Sequence, residues 1–159
     1  MRNPQVRLMR GGKMYRVSVK RLYASPSADA TLRAGDRVIV AEDERYFLSL
    51  GAAGAEAQHY FPKSEVTALD AMALIGGVNE GRGDPKGILI LREYPADAVR
   101  ADGRGPTHQR VVFTLDLPSA DGLFSAGKFH IQSGDLVYAT ESRLSGVGTV
   151  IGLVRSSVG

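Results

Sequence analysis

A chain of 159 residues is long enough for one domain with a sound core and short of two average ones, and its 43% hydrophobic and 23% charged content excludes wholesale disorder. The formal net charge of +3 is too small to argue for a nucleic-acid partner, and the arginines are scattered through turns and strand ends instead of lining one helix. Cysteine is absent, which removes disulfides, thiolate catalysis and thiolate metal ligands from this chain.

In chain order, Met1-Arg-Asn-Pro-Gln-Val-Arg7 has no apolar run and is not expected to be a secretory leader. Val6–Arg10 and Tyr15–Val19 read as strands, and Leu32-Arg-Ala-Gly35-Asp36-Arg-Val38-Ile39-Val40 as a Gly-Asp turn opening a third. The charged stretch Glu42-Asp-Glu-Arg45 reads as a joint. Tyr46–Gly51, aromatic and aliphatic and closed by glycine, reads as a strand; Pro62 limits His59-Tyr60-Phe61 to an edge or an end. Thr67-Ala-Leu-Asp70 fits a capping box, and Gly76-Gly77 stops the helix it begins. Leu69, Met72, Ala73 and Ile75 are expected on its buried face, each large side chain contributing about 1.5–3 kcal/mol. So short a helix must lie on a sheet. Ile88–Leu91 is continuously apolar, as for a strand covered on both faces or central in its sheet. Val111, Phe113, Leu115 and Leu117 alternate with more polar positions, so one face is buried. The link Pro95–Gln109 reads as a mobile hairpin extension that tolerates cutting.

Laid out this way, the sequence repeats. Val6–Arg10 matches Ile88-Leu-Ile-Leu-Arg92, Tyr15–Val19 matches Phe113-Thr-Leu-Asp-Leu117, and Leu32–Val40 matches Ile131-Gln-Ser-Gly134-Asp135-Leu-Val137-Tyr138-Ala139. Tandem copies of one small domain produce such self-similarity, and here the first copy lacks a front half. The expected organisation is a partial module over 1–44 (later strands only), a complete module over 45–141 and a tail over 142–159. Hairpin, helix, second strand pair and closing strand make an α+β unit, a mixed sheet around one helix in the β-grasp arrangement. The partial copy should leave apolar positions such as Leu8, Val17 and Val19 uncovered.

Candidate chemistry is sparse. His59, His108 and His130 share no ligand spacing with carboxylates, so no metal site is expected. No Gly-x-Ser-x-Gly elbow supports a hydrolase triad. Gly81-Arg-Gly-Asp-Pro-Lys-Gly87 lacks the Gly-Lys-Ser/Thr order of a phosphate loop and precedes a strand, so it reads as a flexible turn. No catalytic residue and no cofactor is assigned, and the ligand-binding residues are left open. In the tail, Leu144, Val147, Ile151, Val154 and Val158 recur every three or four positions, with Gly148 and Gly152 spaced for close helix contact. As a helix, 142–159 would reach about 27 Å, near the bilayer core thickness, but its glycines and β-branched residues are poor helix formers, so an amphipathic helix and a strand-like or disordered tail both stand.

The order Phe47-Leu-Ser-Leu-Gly51, Thr67-Ala-Leu-Asp-Ala-Met-Ala-Leu-Ile-Gly-Gly77, Ile88–Arg92, Val112-Phe-Thr-Leu-Asp-Leu117 and Ile131–Val137 resembles the SLBB domain, in the form found in outer-membrane polysaccharide export proteins. These carry capsular or exopolysaccharide out of Gram-negative cells. The likeness covers nearly the whole chain, and the order and repetition of the motifs carry it. It implies a non-catalytic structural subunit of an export conduit in the outer membrane and periplasm, built as a homo-oligomeric ring. Polysaccharide would be the cargo and inner-membrane polysaccharide export machinery a partner, with no nucleic acid. In some exporters C-terminal amphipathic helices line the outer-membrane pore, and 142–159 would be a short version. The family's signal peptide, lipid-bearing cysteine and export-signature domain have no counterpart in these residues, and Ala57-Gln-His-Tyr60 stands where the family has Pro-Gly, so the resemblance is to a C-terminal portion. The competing class is a soluble β-grasp module that binds a small ligand or a protein without any export role.

Overall fold

Gln5–Arg10 (β1) is the middle strand of a three-stranded antiparallel sheet, flanked by Lys13–Ser18 (β2) and Arg37–Ala41 (β3). The computed structural model describes residues 1–51, 56–76 and 87–140. The chain forms two units, Met1–Arg45 with Tyr60–Glu65, and Tyr46–His59 with Val66–Gly159.

In the first unit a two-residue Gly11-Gly12 turn pairs Arg10 with Lys13 and sets the hairpin register. The second strand stops one residue earlier than its sequence suggests. Ser18 accepts a hydrogen bond from the Arg21 amide at 3.2 Å and caps a short helix, Val19–Ala24 (α1). A serine oxygen that satisfies an otherwise unpaired helix amide makes strand-to-helix conversion favourable at that point. Val19 therefore belongs to α1, not to the sheet face.

The second unit contains Tyr46–Gly51 (β4), Ala57–Tyr60 (β5) as far as His59, Ala68–Leu74 (α2), Gly87–Glu93 (β6), Arg110–Leu115 (β7), Ala120–Lys128 (α3) and Leu136–Thr140 (β8). Its sheet runs β5-β4-β8-β6-β7, with β4 parallel to β8 and β6 antiparallel to both β7 and β8. Parallel neighbours need a long crossover between them, and here most of the unit lies between the two paired strands. This is the α+β, β-grasp arrangement that the repeat suggested. Along β4 and β8 the side chains alternate as a one-sided sheet requires: Phe47, Ser49, Val137 and Ala139 are buried, whereas Leu48, Leu50 and Tyr138 are partly exposed.

Helix α2 has its capping box, with the Thr67 hydroxyl accepting from the Asp70 amide at 3.1 Å and the Asp70 carboxylate accepting from the Thr67 amide at 2.9 Å. Its buried stripe differs from the expected one. Ala68, Ala71, Met72 and Ile75 are buried, while Leu69 is 44% exposed and Ala73 is exposed as well. The stripe follows the i, i+3, i+4, i+7 spacing, and its two alanines bring the helix backbone close to the core, leaving the larger leucines outside.

A second helix, α3, stands beside the one the sequence announced and packs against α2 and β7. Ser119 caps it by accepting from the Gly122 amide at 2.9 Å. Gly122 and Gly127 lower its intrinsic propensity, which is why its pattern is hard to read. Gly122 has a packing reason: a Cβ there would run into the Asp116 carbonyl. The Pro95–Gln109 link, expected to be mobile, carries a 3-10 turn at Ala96–Ala98 and closes on itself, with the Arg100 amide donating to the Pro106 carbonyl at 2.9 Å and Tyr94 to Gln109 at 2.7 Å. The Gly81–Lys86 turn and the 142–159 tail lie outside the described residues. Among those described, no helix is long and apolar enough to cross a membrane.

The two α3 glycines should respond oppositely to alanine. Gly122→Ala forces a clash with backbone and should destabilise the chain by about 1–3 kcal/mol. At Gly127 a Cβ meets only Leu69 at an ordinary 3.9 Å, so Gly127→Ala should stabilise by about 0.5–1 kcal/mol. Urea unfolding of both variants reads the two signs.

Candidate functional site

Among the described residues each unit contains one Gly-Asp turn closed by a positive-φ glycine, and the two are built alike. In the first, the Asp36 amide donates to the Arg33 carbonyl at 3.1 Å; in the second, Asp135 donates to Gln132 at the same distance. Gly35 and Gly134, third in their turns, have φ of +88° and +90°, the type II geometry that an L side chain adopts only with strain. Each aspartate then turns back on its own turn, accepting from the Arg33 or the Gln132 amide at 2.8 Å.

The same carboxylates receive a two-pronged arginine from the strand that opens the repeat. Arg10 donates to Asp36 through Nε at 2.9 Å and Nη2 at 2.6 Å, and Arg92 donates to Asp135 at 2.9 and 2.7 Å. In both cases Nη2 also donates to a carbonyl upstream of the turn, Thr31 or His130, at 2.9 Å. The planar guanidinium fits this bidentate geometry, which an ammonium group cannot reproduce. Around Arg92 the pair is sealed: its side chain is 7% exposed and that of Asp135 1%, and the guanidinium lies 5.2–5.3 Å from the Phe113 and Phe129 rings. Arg10 is 29% exposed. Its hydrogen bonds, with that of the Arg33 amide, hold the Asp36 carboxyl down at about 2 from an ordinary 3.8.

A third pair changes the reading of the charged joint. Asp43, only 1% exposed, takes Arg45 at 2.9 and 2.6 Å and Asn3 at 2.7 Å, and Arg45 reaches on to the Ser64 carbonyl at 2.9 Å. Burial pushes the Asp43 carboxyl up, but the Arg45 hydrogen bonds outweigh it and leave it below the ordinary carboxylate value. What reads as a solvated hinge ties Tyr60–Glu65 into the first unit.

The histidines are not gathered. His59 meets the Ser49 hydroxyl at 2.8 Å and stacks on Phe47; His108 meets Thr107 at 3.0 Å in an exposed loop; His130 bridges Thr67 and offers its carbonyl to Arg92. Among the described residues no group of three or more His, Asp or Glu could hold a metal. Ser49 and His59 are a nucleophile and a base by type, yet Ser49 is wholly buried and also accepts from the Ala57 amide at 3.3 Å. The pair ties β4 to β5.

The first unit does hold an open cleft of about 900 Å³. Its floor is one face of the three-stranded sheet, Val6, Leu8, Tyr15, Val17 and Val38, with Leu22 and Leu32 alongside. On this face Leu8 and Val17 are only partly buried, and Tyr15, Val38 and Val40 are 53%, 44% and 53% exposed.

No protein-family model matches the chain. It is 31% identical to the capsule polysaccharide export protein BexD of Haemophilus influenzae across 88% of its length. The chain is a homologue of polysaccharide export proteins. It is also 28% identical to the capsule polysaccharide export outer membrane protein CtrA of Neisseria meningitidis across 99% of its length, and 23% identical to the Vi polysaccharide export protein VexA/TviF of Salmonella typhi across 89%. The chain spans about two fifths of these relatives, between 38% and 43% of each.

The clamps generate two predictions. Removing one partner of a buried pair strands the other, so Arg92→Met should cost about 3–5 kcal/mol, and Arg92→Met with Asp135→Leu should recover much of the loss; a double-mutant cycle by urea unfolding measures it. For the first unit the pH dependence is set by Asp36, with a folded value of about 2 against 3.8. Its contribution is complete above about pH 4 and is lost as pH falls through about 2. The stability difference between the chain and Asp36→Asn, read from hydrogen exchange of the β1 amides, should be flat near neutrality and shrink over that acid window.

Proposed function

We propose that this chain is a non-catalytic structural part of a conduit that exports capsular or exopolysaccharide through the periplasm and outer membrane. The 31% identity to a capsule polysaccharide export protein over 88% of the chain carries this reading. The chemistry of the described residues is in keeping with it. The arginines and aspartates with the best geometry are spent on fixing turns, and Ser49, the hydroxyl partner of His59, is buried.

In this reading residues 1–44 are the later strands of one SLBB module, 45–141 a complete module, and 142–159 a tail directed toward the membrane. Copies assemble as a homo-oligomeric ring whose wall is made of such modules, polymer passes through it, and inner-membrane export machinery delivers the polymer. Rigid arginine-clamped turns suit a wall that must hold its shape while cargo passes. The exposed Pro95–Gln109 loop is available to polymer or to partner proteins.

The test is made in the native cell. Deleting the gene should remove polysaccharide from the cell surface and leave polymer accumulating inside, and fractionation should recover the protein with the outer membrane. Arg92→Met, by loosening the wall, should reduce surface polymer in proportion to the folded protein that remains. Unchanged surface polysaccharide after deletion, with the protein in the cytoplasm, would overturn the proposal in favour of a soluble binding module.

A further inference from the structure

The two units share one framework, so each position in the first has a counterpart in the second. Aligning Arg10 with Arg92 and Asp36 with Asp135 pairs Val6 with Ile88, Leu8 with Ile90, Val38 with Val137 and Val40 with Ala139; the strand registers then pair Tyr15 with Phe113 and Val17 with Leu115. In the second unit this face is core: Ile88, Ile90 and Val137 are 0% exposed and Ala139 is 2% exposed. In the first it is the floor of the cleft. The strand edge differs in the same way. β8 carries β4 as a parallel neighbour, whereas among the described residues its counterpart β3 ends the sheet order β2-β1-β3.

We infer that the cleft and the open edge of β3 receive a strand–helix segment of the same polypeptide, supplied from outside these 159 residues. Its aliphatic strand would pair parallel with β3, and its helix would present small and aliphatic residues, as α2 does with Ala68, Ala71, Met72 and Ile75. Two further observations favour this occupant. On the sheet floor Arg10 is engaged with Asp36 and Thr31, and Ser18 with the Arg21 amide, so the floor itself is mainly aliphatic, while Arg16, Arg21 and Glu65 also line the cleft. The relatives are also more than twice as long as the part this chain matches, which leaves polypeptide from which such a segment can come. The inference rests on the internal repeat and does not depend on the export reading.

Because the chain has no cysteine, single cysteines report accessibility cleanly. Tyr15→Cys and Val38→Cys face the cleft; Met14→Cys and Ile39→Cys lie on the opposite face of the same sheet, at positions 57% and 40% exposed; Val137→Cys is the buried benchmark. Maleimide labelling rates are compared in the 159-residue chain and in the polypeptide as its own cell makes it. In the short chain the cleft cysteines should label like the opposite-face controls. In the native polypeptide, diluted until monomeric, they should lose labelling to the level of Val137→Cys, with the controls unchanged.

Equal labelling in both forms would overturn the inference. So would protection already present in the short chain, protection that appears only as concentration rises (a second copy as occupant), or protection that needs added polysaccharide. Opposite-face controls that fail to label would reveal misfolding, and the conservative Val38→Ala variant then replaces the cysteine, with 1-anilinonaphthalene-8-sulfonate fluorescence as the readout. Binding of that dye by the short chain and its loss in the native polypeptide support the inference; equal dye binding in both overturns it.

Discussion

The arginine–aspartate clamp is the interaction on which both units depend. It joins residues far apart in sequence, 26 positions in one unit and 43 in the other, at the point where the last strand must enter the sheet beside the first. Ladder hydrogen bonds alone would allow that strand to slip, and a slip by one residue turns every side chain to the wrong face. The clamp lies just beyond the last ladder pairs, Met9 with Arg37 and Leu91 with Leu136, and holds the turn, its approach and the strand end with one guanidinium. Taking such a pair out of water offsets much of its own attraction. Its main effect is therefore on register, and the surrounding aromatic rings at Arg92 make that register hard to leave.

With the framework fixed, the two units differ in what lies on it. One has β4 beside β8 and a filled core; the other leaves Tyr15, Val38 and Val40 exposed on the corresponding face. Contiguous apolar surface of that kind on a folded unit marks a place where something else belongs. Among the described residues β3 is also an edge strand, and such edges are ordinarily covered or blunted.

Much of the site was legible from residue order. The Gly-Asp turns declared themselves twice, and each repeat opened with a strand ending in arginine, at Arg10 and Arg92. What could not be read was that the arginine and the aspartate meet, because nothing in their spacing says that the chain returns to that strand end. The Glu42–Arg45 stretch shows the same limit in reverse. Four charged residues in a row look solvated, yet Asp43 is buried because Asn3, Arg45 and the Ser64 carbonyl converge from three separate segments.

Local chemistry alone determined the α2 capping box, the strand periodicities, the positive-φ glycines of the two turns and the duplication itself, since each depends on residues within a few positions or on direct self-similarity. Tertiary structure decided which stripe of α2 is buried, because that depends on how closely two alanines let the helix approach its sheet. It decided that a glycine-bearing segment becomes α3, because packing against α2 and β7 outweighs weak propensity. And it decided that identical sheet faces end as core in one unit and as an open cleft in the other, because burial belongs to what lies opposite a residue and not to the residue.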